Sequence, residues 1–257
     1  MDIEKLIELA NQGDVEAMVS VGAYYFEKSE NGGGFADVET AAKWYEKAAK
    51  LNNPDGLLAA ASAYSIIADV YQEISEYADA IEAWGLCYEF ALCLIAENNK
   101  GDAIQISEED INWARDILKD CKYNSALCHF FSNNYTLALT DSKYCSSAEA
   151  KVLEGLCNFN LKRYEKVYEN IKFLESDEYL NKDKSLLEEI VFADSTCLLA
   201  ELYRIGTLID LAPNLERARN LLLNSLSLIK EEKLKVHINE ELSKYKPKFF
   251  GGFKYVE

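Results

Sequence analysis

Along the chain, apolar residues recur every three to four positions in almost every window. Nothing alternates convincingly as a strand, so the pattern predicts amphipathic helices throughout. Start signals are frequent: "GDVEAM", "ADVETA", "NPDG" with Pro54 at an early helical position, and "SEEDINW" with Ser107 placed to cap and Asp110 three residues on. Breaks fall at "SENGGGFA", "ENNKGDAIQI", "SDEYLNKD", "DLAPN" and the tail. There are only 3 prolines in 257 residues, against an average usage of about 5%, so long uninterrupted helices are expected.

The pattern also repeats. "ALCHFFSNNY" (Ala126 to Tyr135) returns as "GLCNFNLKRY" (Gly155 to Tyr164), with Leu127, Cys128, Phe130 and Tyr135 recurring as Leu156, Cys157, Phe159 and Tyr164. Twice that offset backwards lies Tyr77, followed by Ala80, in "EYADAIEAW", and a separate echo joins "LIELANQGDVEA" to "WYEKAAKLNNPDG". Two unequal periods mean related helical units with loops of different length.

The spacing inside each unit is specific. Tyr64, Ile67, Ala68 and Tyr71, then Ala80 and Trp84, resemble the tetratricopeptide pattern, while Ala17, Val21, Gly22 and Tyr25, then Asp37, Ala41, Trp44 and Tyr45, resemble the related Sel1-like repeat. A last unit carries Leu199, Ala200 and Tyr203, then Ala218 and Leu221. In the middle the chain departs from the pattern: Ser125 and Glu154 stand at a usually apolar position, and His129 and Asn158 replace the usual tyrosine. The resemblance implies an all-α, right-handed α/α superhelix of about five helix pairs. Expected units are 14–51, 60–99, 113–145, 147–176 and 186–230 within one domain over 1–245, with a cap at 231–245 and an aromatic tail at 246–257. Gly22, Ala68, Ala126, Gly155 and Ala200 are expected where paired helices cross, since only a small side chain lets the backbones close up. Trp44 and Trp84 are expected to fill the gap towards the next pair.

Charge narrows the class of partner. With 27 basic and 44 acidic residues the net charge is −17, which repels a phosphate backbone and an anionic bilayer, so neither nucleic acid nor membrane is expected as a partner. The 7 cysteines form no CxxC pair and no metal-ligand spacing with histidine, so a metal site is not expected, nor is any cofactor, and the thiols read as reduced. "MDIEKLIELA" lacks the basic and apolar regions of a secretory signal, and with no run long enough to span a bilayer a cytoplasmic setting is expected.

Catalysis finds little support. His129, beside Cys128, allows an imagined Cys/His nucleophilic pair, but no third orienting group is specified, and a half-buried histidine at the repeat's usual tyrosine position is favoured. His237 reads as surface, and "NGGG" lacks the strand and Lys-Ser/Thr of a phosphate loop. Binding fares better. The resemblance implies that first helices line a concave wall, which here presents Ser65, Asp69 and Gln72; then Asp120, Tyr123, Leu127 and Phe130; then Glu149, Val152, Leu156 and Phe159; and finally Asp194, Glu201 and Arg204. Asp69, Leu127 and Leu156 stand where relatives that clamp a C-terminal carboxylate carry asparagine, without the accompanying basic pair, so that use is not implied. The expectation is a non-enzymatic scaffold whose acidic and aromatic groove takes a basic or neutral protein or peptide segment. The alternatives are an immunity-type neutraliser of one basic protein and, less favoured, a helical enzyme around His129. The tail aromatics Phe249, Phe250, Phe253 and Tyr255 are expected to fold back as a lid over the last helices rather than to dock another protein.

Overall fold

The computed structural model describes residues 2–100, 106–172, 186–206, 213–247 and 253–256. Among the described residues the protein is all-α apart from one short antiparallel strand pair. The described residues form twelve helices: α1 (Ile3–Asn11), α2 (Val15–Glu30), α3 (Phe35–Ala49), α4 (Pro54–Glu73), α5 (Tyr77–Asn99), α6 (Glu108–Phe131), α7 (Tyr135–Ser142), α8 (Ala148–Asn160), α9 (Tyr164–Ile171), α10 (Leu186–Ile205), α11 (Leu215–Leu228) and α12 (Glu232–Ser243). Two strands follow, β1 (Tyr245–Pro247) and β2 (Phe253–Tyr255). Contacts cluster into two compact units, Met1–Leu137 and Ala138–Glu257.

The caps form as the sequence dictates. Asp14 accepts from the Ala17 N–H at 3.0 Å and Asn53 from the Gly56 N–H at 2.8 Å. The Ser107 hydroxyl accepts from the Asp110 N–H at 3.1 Å and donates to the Asp110 carboxylate at 2.6 Å. The turns carry the repeat more plainly than the side chains do. Ser75, Asn133 and Lys162 all adopt positive φ (65°, 59° and 58°), each two residues before the tyrosine that opens the next helix. In each turn the following N–H closes onto a carbonyl five residues back: Glu76 onto Tyr71, Asn134 onto His129, Arg163 onto Asn158. This is the Schellman closure of a helix C-terminus. Gly13 and Asn52 repeat it after α1 and α3.

In the first unit, successive helices pack as neighbours from α1 to α6, and their short connections make neighbours antiparallel. One core runs through α3 to α6 around Tyr45, Leu57, Ile67, Trp84, Phe90 and Leu94, and a smaller one joins α1 and α2 through Ala10, Met18 and Val21. Gly22 is a crossing point: a Cβ there would lie 2.5 Å from the Tyr45 ring. Gly22→Leu is therefore expected to cost about 1–3 kcal/mol by overpacking, read as a lowered denaturant midpoint. Trp44 corrects the expectation drawn from its position. It packs back against the α1–α2 cluster, with the Lys47 ammonium 3.5 Å from its ring centroid, while Tyr45 carries the buried role beside Gly22.

In the second unit, α8 packs on α9 and on α10, and α10 on α11 and α12, around Val167, Phe192, Leu199, Tyr203, Leu222 and Ile238. Glu189 is buried at 3% exposure, and its carboxylate accepts from the Lys230 and Glu231 N–H groups at 3.0 and 2.9 Å. A buried charge is tolerable when satisfied in this way, and this one pins α10 to the turn that starts α12. The strands are a second correction, since no strand was read from the sequence. β1 and β2 pair antiparallel with Tyr245 opposite Tyr255, their rings edge-on at 5.2 Å, and Tyr245 is buried. Three-residue strands are too short to show alternation, so this aromatic cross-strand pair is their only signal. Tyr255 thus folds back onto the second-unit core, while Phe249, Phe250 and the Gly251–Gly252 turn lie outside the described residues.

Candidate functional site

The first-unit half of the expected wall is carried by α4 and α6, which touch. Helical spacing places Ser65, Asp69 and Gln72 on one face of α4, and Asp120, Tyr123, Leu127 and Phe130 along α6. Asp69 and Asp120 are exposed, and the other five are half-buried. Gln72 ties the two helices together, its side-chain oxygen accepting from the buried Cys128 thiol at 3.4 Å. Phe130 lies edge-on to Phe131 and Tyr135, at 5.7 and 5.6 Å. In the second unit Phe159 meets Tyr164 in the same way at 5.6 Å. Each phenylalanine therefore braces the start of its partner helix and offers only part of its surface outward.

Within the second unit, Glu149 and Leu156 are half-buried on α8, whereas Val152 is 4% exposed and belongs to the interior. On α10, Glu201 and Arg204 form an ion pair, and the Arg204 guanidinium also lies 4.4 Å from the Tyr255 ring. Both side chains are thus engaged by each other or by the hairpin.

Three of the carboxyls expected on first helices share an electrostatic property. Asp69 reaches solvent, yet crowding by neighbouring protein, and then the charge of Glu73, pushes it above the ordinary carboxylate range. Asp120 rises for the same reasons, with Asp116 as its like-charged neighbour. Asp194 reaches solvent, yet crowding by neighbouring protein raises it too, with His237 pulling in the opposite direction. Among the described residues these are the carboxyls held high, and carboxylates displaced in this way mark surfaces that gain from an added positive charge. The linkage has a definite sign. A raised folded-state pKa means that the folded state holds the proton to higher pH, so stability falls as pH rises from the ordinary 3.8 upward through the folded value. Asp194→Asn is therefore expected to be more stable than the parent at about pH 7, with the difference shrinking towards about pH 4. Thermal melts at the two pH values read it.

The catalytic alternative meets opposing chemistry. His129 is half-buried, and Cys128 beside it is fully buried, with burial pushing its thiol up to about 11. A thiol nucleophile needs the reverse shift. A second Cys/His contact was missed by reading along the chain: Cys197 on α10 lies 3.7 Å from Nε2 of the exposed His237 on α12. Burial, with Glu241 and Asp194, pushes Cys197 up to about 12, again away from thiolate. None of the seven cysteines is joined in a disulfide, and among the described residues no group of three or more His, Cys, Asp or Glu could hold a metal. Nor is any described helix long and apolar enough to cross a membrane.

A concavity of about 230 Å³ opens on a different face of the first unit. It is lined by Glu39, Ala42 and Lys43 of α3, Tyr64, Ile67 and Tyr71 of α4, and Asp79, Glu82, Ala83 and Leu86 of α5. Its α4 residues lie about 130° around the helix from Ser65, Asp69 and Gln72, at 3.6 residues per turn. The sequence carried part of the signal, since Tyr64, Ile67 and Tyr71 belong to the repeat pattern. What lay hidden was that α3 and α5 would bring their carboxylates to them.

No protein-family model and no curated protein matches the chain. Among solved structures, a Sel1 repeat protein from Oxalobacter formigenes aligns over 88% of this chain and 99% of its own, at 16% identity and a TM-score of 0.26. A likeness that distant carries no argument about function.

Proposed function

We propose that the protein is a helical-repeat scaffold that binds a basic or neutral protein segment on the faces that the first helices present within each unit. The supporting observation is that Asp69, Asp120 and Asp194, which the repeat resemblance puts on the first helices' exposed faces, are carboxyls held above their ordinary range. A cation laid against them relieves that penalty, so binding energy is gained where the free surface is strained. The half-buried Tyr123 and Phe130 in the first unit, and Leu156 and Phe159 in the second, supply apolar anchors on the same helices or beside the charges of their own unit. Glu149 adds charge on α8, and Ser65 and Gln72 border Asp69 on α4. The net charge of −17 adds long-range steering. Masking one basic protein, as an immunity partner does, is the same chemistry directed at a single target.

Selection from a random peptide library on the immobilised full chain tests this reading. Enriched peptides are expected to carry lysine or arginine together with aromatic or branched aliphatic residues. Enrichment of acidic peptides, or of apolar ones without charge preference, would sink the proposal.

A further inference from the structure

We infer that the concavity between α3, α4 and α5 is a lysine pocket, receiving the side chain of one lysine from a basic protein partner. It rests on the reading of the protein as a binder of basic segments, but it is a second recognition point, on a face the first-helix wall does not share.

The walls are fixed before any ligand arrives. Tyr64 stacks on Phe90 at 5.9 Å and donates its hydroxyl to Glu46 at 2.6 Å. Tyr71 lies edge-on to Phe35 at 5.4 Å and donates to Glu39 at 3.1 Å. Between these braced rings the floor is apolar and buried, with Ala42, Ile67 and Ala83 at 1%, 5% and 4% exposure. The mouth is charged: Asp79 and Glu82 are exposed and Glu39 half-buried, three carboxylates against the single ammonium of Lys43. Their fields converge on one place. The Tyr71 hydroxyl is pushed up first by its bond to Glu39, then by burial and by the charges of Glu39, Asp79 and Glu82.

An apolar throat with a negative rim matches a lysine along its whole length. The four-carbon stem lies against Ile67 and Ala83, and the ammonium, with three donors, meets carboxylates arriving from two helices. Arginine is matched less well, because its planar fork is best met by the two oxygens of one carboxylate. The size agrees. A volume of about 230 Å³ falls below the roughly 300–1,000 Å³ of pockets that enclose drug-sized ligands. Rigid walls also mean that little ordering has to accompany entry of the side chain.

Methyl NMR on the full chain tests the pocket, with Nα-acetyl-lysine methylamide as the probe and the Ile67 and Leu86 methyls as reporters. A saturable shift is expected at both. Asp79→Asn with Glu82→Gln should weaken it by about fivefold, and Lys43→Gln should strengthen it by removing the resident competitor, both variants keeping the parent's circular dichroism. The norleucine analogue, which has the stem without the charge, should not bind. Equal binding of the norleucine analogue, or no effect of the double substitution, would overturn the inference. Butylammonium binding as tightly as the capped lysine would overturn the protein source, since the backbone would then add nothing. Shifts at Leu127 without shifts at Ile67 would remove the pocket and leave the first-helix reading standing. Shifts at Ile67 alongside a selection that enriches no basic peptide would do the opposite.

Discussion

Trp84→Ala is expected to lower the stability of the protein by about 3–5 kcal/mol, the largest effect anticipated for any single truncation in the first unit. The side chain is 2% exposed inside the core that joins α3 to α6, so its removal leaves a cavity bounded by several helices at once. The indole N–H is buried without a hydrogen-bond partner, which is itself a cost to the parent. Trp84→Phe is therefore expected to lose much less, because it keeps most of the ring while deleting the unpaired donor. Denaturant midpoints for the two variants decide the matter. An alanine variant that melts like the parent would mean that Trp84 does not bind the helices together.

The second large effect is on association. Reversing Asp69, Asp120, Glu149 and Asp194 to lysine is expected to slow the binding of a selected basic peptide by about tenfold or more at low salt, and to flatten its salt dependence. Phe130→Ala or Phe159→Ala should instead speed dissociation, since buried anchors act mainly on the off-rate. The control must change charge equally without touching structure. Glu46 is unsuitable, as it accepts from Tyr64 at 2.6 Å and pairs with Lys50 at 2.5 Å. Glu89, Glu165, Glu169 and Glu216 are exposed on α5, α9 and α11. Comparable slowing when these four are reversed would mean that net charge alone drives encounter.

Much of the fold was legible because its signals are local. Ser107 and Asp110 announce a cap by their spacing alone. Tyr77, Tyr135 and Tyr164 open α5, α7 and α9, as their regular offsets implied. Gly22 and Gly155 sit at crossings, a Cβ at Gly155 coming within 3.0 Å of Ile171. What stayed hidden depended on partners distant along the chain. Glu154 and Asn158 looked like damage to the repeat pattern, yet Asn170 joins them: its amide donates to Glu154 at 2.7 Å, and its oxygen accepts from Asn158 at 3.1 Å. The two departures are linked through a third residue that no repeat template would single out, while the Asn158 Oδ1 itself stays buried without a hydrogen-bond partner. Glu189 hid in the same way, as one acidic residue among many until the α11–α12 turn closes over it. Trp44 showed that spacing fixes which face a side chain occupies but not which neighbour claims it. The expected wall was legible as a set of helix faces. That Glu201 and Arg204 are engaged by each other and the hairpin was not, because β2 comes from a tail with no helical period.

The central claim is that the first-helix face is where a partner lies, and photo-cross-linking tests it most directly. A selected basic peptide carrying a photoreactive benzophenone in place of its apolar anchor is bound, irradiated and digested, and the adducts are located by mass spectrometry. Adducts are expected within Ser65–Gln72 on α4 and Tyr123–Phe130 on α6, and their yield should collapse in the inner charge-reversed variant. Adducts confined to the outward second helices or to the β1–β2 hairpin, with yield indifferent to Asp69 and Asp120, would contradict it.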